Sequence, residues 1–182
     1  MKLSALTYRS EIAPKLKERF GWKNVHEVPR IQKVTVNVGL SKALKDPRFM
    51  DVIESTITRI TAQKPVKTLS RVSIANFKIR QGLAVGMKVT LRGKRMWEFL
   101  DKLANVSFAR VRDFRGVPSS AVDAHGNFSY GFTEHTAFPE ISPDEIDYLH
   151  GLQVNITTTA KSQEEGRAVF ELLGFPFKKK DK

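Results

Sequence analysis

The sequence predicts an α+β domain of two layers, a mainly antiparallel sheet with helices on one face and an open polar side on the other. Three observations carry this. Stretches of period two and stretches of helical period interleave along the chain. Several period-two stretches have one apolar and one polar face, whereas strands covered on both sides would be apolar throughout. The chain has 182 residues, 41% of them apolar, which is about one domain's worth and enough for a core of its own.

Ser4 to Phe20 reads as a helix with Leu6, Ile12, Leu16 and Phe20 as its apolar positions and Gly21 as its stop. Pro29 opens a strand over Ile31 to Val38, which sets Val34, Val36 and Val38 against Lys33, Thr35 and Asn37. Asp46 and Pro47 fit the N-cap and first position of a helix carrying Met50, Ile53, Ile57 and Ile60, ended by Gln63, Lys64 and Pro65. Val66 to Leu69 is a short strand, followed by a basic loop from Ser70 to Gly82. In the next strand Val85, Met87, Val89 and Leu91 oppose Gly86, Lys88, Thr90 and Arg92. Lys94 to Val106 is an amphipathic helix with Met96, Phe99, Leu100 and Leu103 inward.

Arg110 to Gly116 reads as a basic strand end, and the Ser, Gly, Asn and Asp of Pro118 to Gly131 as a long hairpin or mobile loop. Ser142, Pro143, Asp144 and Glu145 form a capping-box start. Leu152, Val154 and Ile156 alternate with Gln153, Asn155 and Thr157 in a last strand. Ser162 with Glu165 caps a final helix that stops at Gly174.

The net charge is +12, and the whole excess is N-terminal: residues 1–91 hold 18 basic and 6 acidic residues, residues 92–182 hold 13 of each. From Ser55 to Trp97 there is no acid, while ten Lys and Arg fall in that window. Such a balance points to a polyanionic partner. Without cysteine there is no disulfide scaffold, thiolate zinc site or cysteine nucleophile. The charged residues of the first twenty leave no apolar stretch for a signal peptide, and no window is apolar enough to span a bilayer, so a cytosolic, membrane-free protein is expected.

Catalytic chemistry finds no constellation. Asp144, Glu145 and Asp147, and Glu164 with Glu165, sit in first helical turns, where acids satisfy N–H groups and the helix dipole. His26, His125, His135 and His150 lack metal-ligand spacing, and Gly93-Lys94 is no phosphate-binding loop. What remains is a platform of Lys33, Thr35 and Asn37 beside Lys88, Thr90 and Arg92, free of aromatic residues and suited to phosphate, ribose and folded RNA shape. An RRM would place aromatics there within a motif that is absent. Phe77, inside the basic loop, either stacks on a base or anchors the loop to the core.

The segments PRIQKVTVNVGL (Pro29 to Leu40), TAQKPV (Thr61 to Val66), NFKIRQG (Asn76 to Gly82), GMKVTLRGKRMWEFL (Gly86 to Leu100), RVRDFRG (Arg110 to Gly116), FPEI (Phe138 to Ile141) and TTTAKSQEEGRAVF (Thr157 to Phe170) occur in order over nearly the whole chain. Together they closely resemble the bacterial-type large-subunit ribosomal protein five family. The resemblance implies a non-enzymatic, cofactor-free protein acting as one copy in the cytoplasmic ribosome, with the open polar side facing RNA. It implies binding to 5S rRNA and its attachment to the central protuberance, contact with P-site tRNA, and a bridge to a small-subunit head protein. The 23S rRNA and neighbouring large-subunit proteins are further implied partners.

The family's 5S rRNA contacts carry over to Asn37, Gln63, Phe77 and Thr90, which Lys33, Thr35, Lys88 and Arg92 of the platform would join. The tRNA-facing loop corresponds to residues 70–82, with Arg71, Lys78 and Arg80. The bridge loop corresponds to residues 113–135, with Arg112, Arg115, His125 and Glu134 as candidate contacts. The chain departs from the family at Val72, where a basic residue is usual, at Asn76, at Ala124-His125-Gly126-Asn127-Phe128, and at His135. A single domain over 1–182 with a disordered tail at 178–182 is expected. The classes that compete with a structural ribosomal protein are a stand-alone regulatory RNA-binding module and a cryptic enzyme.

Overall fold

The computed structural model describes residues 3–41, 48–141 and 148–178. Helix α1 starts at Ser4, whose hydroxyl accepts the Thr7 N–H at 3.1 Å. It runs through Ala5–Thr7, a π segment at Tyr8–Ile12 and Ala13–Phe20, and ends at Gly21 in the left-handed region (φ 68°). Five strands follow: β1 (Ile31–Gly39), β2 (Val66–Leu69), β3 (Ala84–Leu91), β4 (Phe128–Phe132) and β5 (Leu152–Thr158). They form one sheet in the order β2-β3-β1-β5-β4, with every neighbouring pair antiparallel. Helix α2 (Arg48–Thr61) connects β1 to β2, α3 (Gly93–Lys102) follows β3, and α4 (Gln163–Leu172) follows β5. The helical course of α3 continues as a π segment over Leu103–Ser107. No helix of the described residues is long and apolar enough to cross a membrane.

Strand alternation decides which side the helices cover. Val34, Val36 and Val38 of β1, Met87, Val89 and Leu91 of β3, and Val154 and Ile156 of β5 are buried in one core with Leu16 of α1, Ile53 and Ile57 of α2, Phe99 and Leu100 of α3, and Val169 and Phe170 of α4. Phe108, Phe128, Phe170 and Phe175 interlock at its C-terminal end, with neighbouring ring centroids 5.0–5.4 Å apart. The other sheet face is left to Lys33, Thr35, Asn37, Lys88, Thr90, Gln153, Asn155 and Thr157. The two-layer α+β expectation therefore holds.

Two local expectations are corrected. Leu6 is 77% exposed. It stands six residues before Ile12, off the stripe that Tyr8, Ile12 and Leu16 make at four-residue intervals, and Tyr8 takes the buried place, donating its hydroxyl to the Pro29 carbonyl. Arg110 to Gly116 forms no strand: a 3-10 turn at Phe108–Arg110 leads into left-handed Asp113 and Gly116. Gly116 packs so closely on the Lys178 backbone that a Cβ would sit 2.7 Å from its nitrogen. The segment read as a long hairpin or loop turns at residues 123–127, with Val122 bridged antiparallel to Phe128 at the start of β4. The cap at Asp46 and Pro47, the capping box with Asp144, Glu145 and Asp147, and residues 179–182 lie outside the described residues.

Candidate nucleic-acid interface

Register turns the polar positions into rows. Thr35 faces Thr90 on one side and Asn155 on the other, and Asn155 faces Ser129. One step along, Asn37 faces Lys88 and Gln153, Lys88 faces Val66, and Gln153 faces Gly131. Lys33 faces Thr157. Gln63 joins the first row from outside the strands. After α2 the chain turns at left-handed Ala62 (φ 52°), and Gln63 donates from Nε2 to the Thr90 carbonyl at 3.4 Å. Arg92, just past β3, reaches back to the Gln32 carbonyl at 3.4 Å. The side chains of Lys33, Thr35, Asn37, Lys88, Thr90, Gln153 and Asn155 make no hydrogen bond or ion pair among the described residues. No aromatic side chain of the described strands lies on this face, because Phe128, Tyr130 and Phe132 of β4 point into the core. Asn37, Gln63, Thr90, Lys33, Thr35, Lys88 and Arg92 are thus brought together. Gln153, Asn155 and Ser129 belong to the same rows and were not singled out from sequence, although β5 carries the same alternation that exposed Asn37 and Thr90.

The loop between β2 and β3 projects from one edge of this face and is laced by its own backbone. Ser70 and Leu83 pair (2.8 Å), Gly82 returns a bond to Ser70 (3.0 Å), and Ile74 and Ile79 exchange two bonds (2.9 and 3.1 Å) around a turn closed by left-handed Lys78. The Ser73 hydroxyl accepts the Gln81 N–H at 2.9 Å. Phe77, at the turn, is 68% exposed. It does not anchor the loop to the core, the second of the two roles left open by the sequence. Arg71, Lys78 and Arg80 are exposed and unpaired among the described residues.

Charge pairing sharpens the picture. Of the cations in the acid-free window, Lys64 and Lys67 both reach Glu54 at 3.4 Å. Partial burial raises the Glu54 pKa, but the two ammonium groups outweigh this and hold it below the usual carboxylate range. Lys94 pairs with Glu98 at 3.8 Å. The cations of the polar face and of the loop, by contrast, meet no acid among the described residues.

Arg112, Arg115, His125 and Glu134 are not brought together as one group. Arg112 and Glu134 line one shallow pocket with Arg110 and Thr136, whereas His125 lies beyond the other end of β4. His125 sits in a turn built by Asp123, whose carboxylate accepts the N–H groups of His125 (2.9 Å) and Asn127 (2.7 Å) and the Asn127 amide (3.0 Å). Slight burial raises the Asp123 pKa, and these hydrogen bonds more than reverse that. The turn is sewn to the end of β5, where Asn127 accepts the Thr158 N–H (3.0 Å) and Thr158 donates to the Gly126 carbonyl (2.8 Å). Asp123 with His125 is therefore a turn motif, and among the described residues no cluster of His, Asp and Glu could hold a metal ion. His135 and His150 stack in the core at 4.2 Å between centroids. Burial lowers the His135 pKa, opposed by the His150 backbone and the Glu134 charge. Glu164 and Glu165 serve the start of α4, where Glu165 accepts the Lys161 N–H at 2.8 Å.

Two family models match in tandem: Ribosomal protein L5 over residues 24–80 and the C-terminus of the same ribosomal family over residues 84–177. The chain belongs to the ribosomal protein L5 family. Curated relatives agree. It is 48% identical to "Large ribosomal subunit protein uL5" of Thermoanaerobacter sp. (strain X514) over 94% of this chain and 96% of that protein. It is 48% identical to the protein of the same name from Halothermothrix orenii over 97% and 99%. The protein so named from Natranaerobius thermophilus is 49% identical over 93% of this chain and 95% of its own length. An L5-family chain is a structural ribosomal protein and not an enzyme.

Proposed function

We propose that the protein is a structural constituent of the cytoplasmic large ribosomal subunit that binds 5S rRNA through the polar sheet face and holds it in the central protuberance. The observation that carries this is the set of hydrogen-bonding rows, whose strand side chains are unsatisfied within the described protein, with Lys33, Lys88 and Arg92 on their β3–β1 side meeting no acid among the described residues. Phosphate oxygens need the cations, while sugar hydroxyls and base edges need the amides and hydroxyls. Asn37, Gln63, Thr90, Lys33, Thr35, Lys88 and Arg92 form the 5S face, with Phe77 stacking from the loop. Arg71, Lys78 and Arg80 meet the backbone of P-site tRNA. The segment 113–135, with Arg112, Arg115, His125 and Glu134, faces a small-subunit head protein, and 23S rRNA and neighbouring large-subunit proteins complete the surroundings of a single copy.

The test is a gel-shift series with 5S rRNA, tRNA and an unrelated structured RNA over a range of salt. A strong preference for 5S rRNA is expected, with an affinity that falls by orders of magnitude as salt rises if about 6 to 10 phosphates are contacted. Equal binding of the unrelated RNA, or a flat salt response, sinks the proposal.

A further inference from the structure

The polar face is not chemically uniform, and the gradient across it runs strand by strand. On the β3–β1 side the outward residues include Lys88, Lys33 and, just past β3, Arg92. On the β5–β4 side they are Gln153, Asn155, Thr157 and Ser129, all neutral and none acidic. Asn155 stands in the row of Thr35 and Thr90, Gln153 in the row of Asn37 and Lys88, and Ser129 extends the Asn155 row to the sheet's edge. With strands about 4.8 Å apart, the row from Thr90 to Ser129 spans about 14 Å of continuous hydrogen-bonding surface. The Asn155 and Gln153 side chains make no hydrogen bond within the described protein, so their amide donors and acceptors are open to a partner.

We infer that the β5–β4 half of this face is a second, uncharged section of the RNA-binding surface, which reads ribose 2′-hydroxyls and base edges in a shallow RNA minor groove through Gln153 and Asn155, while the β3–β1 half neutralises phosphates. This rests on the proposed 5S rRNA binding and extends it to strands that carry no cation. The chemistry selects the occupant. An anionic partner is favoured by continuity with the cationic half. A 2′-hydroxyl both donates and accepts, as Asn and Gln side chains do, and A-form RNA displays these groups in a wide, shallow minor groove. Aromatic residues are missing from the described strands of this face, so base stacking is not the mode of reading here.

Two properties separate this from a passive polar surface. A neutral contact adds affinity without releasing a counterion, so removing it lowers binding at every salt concentration and leaves the slope of log K against log salt unchanged; removing a phosphate-contacting lysine reduces that slope by about 0.7 to 0.9. A 2′-hydroxyl contact also disappears when the sugar is deoxy.

The experiment uses the full chain and a 5S rRNA transcript, with Gln153→Ala/Asn155→Ala as the probe and Gln153→Val/Asn155→Val as a pair that keeps strand propensity. Lys88→Ala is the cationic comparison. The expected result is a loss of about fivefold per residue for the Gln153 and Asn155 changes, with the wild-type salt slope, against a shallower slope for Lys88→Ala. Transcripts carrying scattered 2′-deoxy nucleotides should show interference positions for wild type that vanish for the double variant. Wild-type affinity in both folded double variants, a slope reduced as in Lys88→Ala, or an unchanged interference map each overturns the inference while leaving 5S binding intact. Failure of the wild-type chain to prefer 5S rRNA overturns the underlying proposal instead.

Discussion

Val36 and Asn37 are neighbours on β1 with opposite duties, and substituting each by alanine tests the face assignment within one strand. Val36 is 1% exposed and packed in the core. Val36→Ala removes two methyl groups, about 1.6 kcal/mol of transfer free energy, plus a cavity term, for a total of about 2–3 kcal/mol. In a chain of this size that lowers the melting temperature by about 5–10 °C. The Asn37 side chain lies on the open face with no hydrogen bond inside the described protein, so Asn37→Ala shifts stability by no more than about 0.5 kcal/mol. Its cost falls on 5S rRNA binding, where one lost hydrogen bond is about 1 kcal/mol, close to a fivefold change. Thr90→Ala should behave like Asn37→Ala. Melting curves read beside gel shifts separate the two effects. If Asn37→Ala melts as early as Val36→Ala and still binds 5S rRNA normally, the assignment of the two faces is wrong.

Replacing Arg71 and Arg80 together by Ala should weaken tRNA retention on reconstituted ribosomes by a similar factor for different tRNAs, because phosphate contacts carry no sequence information, and should leave 5S binding nearly intact. Phe77→Ala should do the reverse, losing about 1–3 kcal/mol of 5S affinity if the ring stacks on a base; equal loss of 5S binding by both variants breaks the proposed division of the loop. Gly166→Ala would put a Cβ 2.3 Å from the Gly126 Cα and 2.5 Å from its carbonyl oxygen. Backbone cannot yield as a flexible side chain can, so a loss of about 1–3 kcal/mol in urea unfolding is expected, and an unchanged midpoint contradicts that packing. Burial holds the His135 pKa below its ordinary value of 6.5, so the unfolded chain takes up the proton first as pH falls. The stabilisation from keeping this ring neutral is fully present above about pH 6.5 and is lost as pH drops through the lowered value. Unfolding between about pH 7.5 and 5.5 should therefore lose less stability in His135→Gln than in wild type, and identical profiles remove His135 from the account.

What was legible in the sequence was what two-residue and helical periods encode. Val34/Val36/Val38 and Val85/Met87/Val89/Leu91 announced both the buried side of the sheet and, by subtraction, the platform of Lys33, Thr35, Asn37, Lys88 and Thr90. Ser162 with Glu165 and Gly174 marked the ends of α4 because capping is local chemistry. Strand β4 was hidden because Phe128, Tyr130 and Phe132 alternate with only Ser129 and a glycine, inside a stretch whose turn residues dominate its composition. Gln63 shows the same limit from another side. Its place beside Thr90 depends on how α2 meets β2 at Ala62, which no periodicity records. Register was also beyond reach: alternation says which residues share a face, but only pairing sets Asn155 beside Thr35 and Gln153 beside Asn37.

The separation of aromatic from polar groups bears on what kind of RNA this surface can take. A sheet that reads unpaired bases needs rings among its strands, since stacking is worth about 1–3 kcal/mol per base and tolerates any sequence. Here the rings of β4 are spent on the core, where Phe128 and Phe132 join Phe108, Phe138 and Phe170. The exposed Phe77 is instead set apart on a loop whose own hydrogen bonds hold it away from the strands. A face of hydroxyls, amides and peripheral cations gains most from an RNA that already displays its sugars and phosphates in a fixed array, which a folded helix does and a flexible single strand does not. If Phe77 stacks as proposed, that contact at the border adds a requirement for an accessible base next to that helix. On the proposed binding mode the combination demands two features of the RNA at a set distance, and specificity would then come from RNA architecture rather than from a base-by-base code.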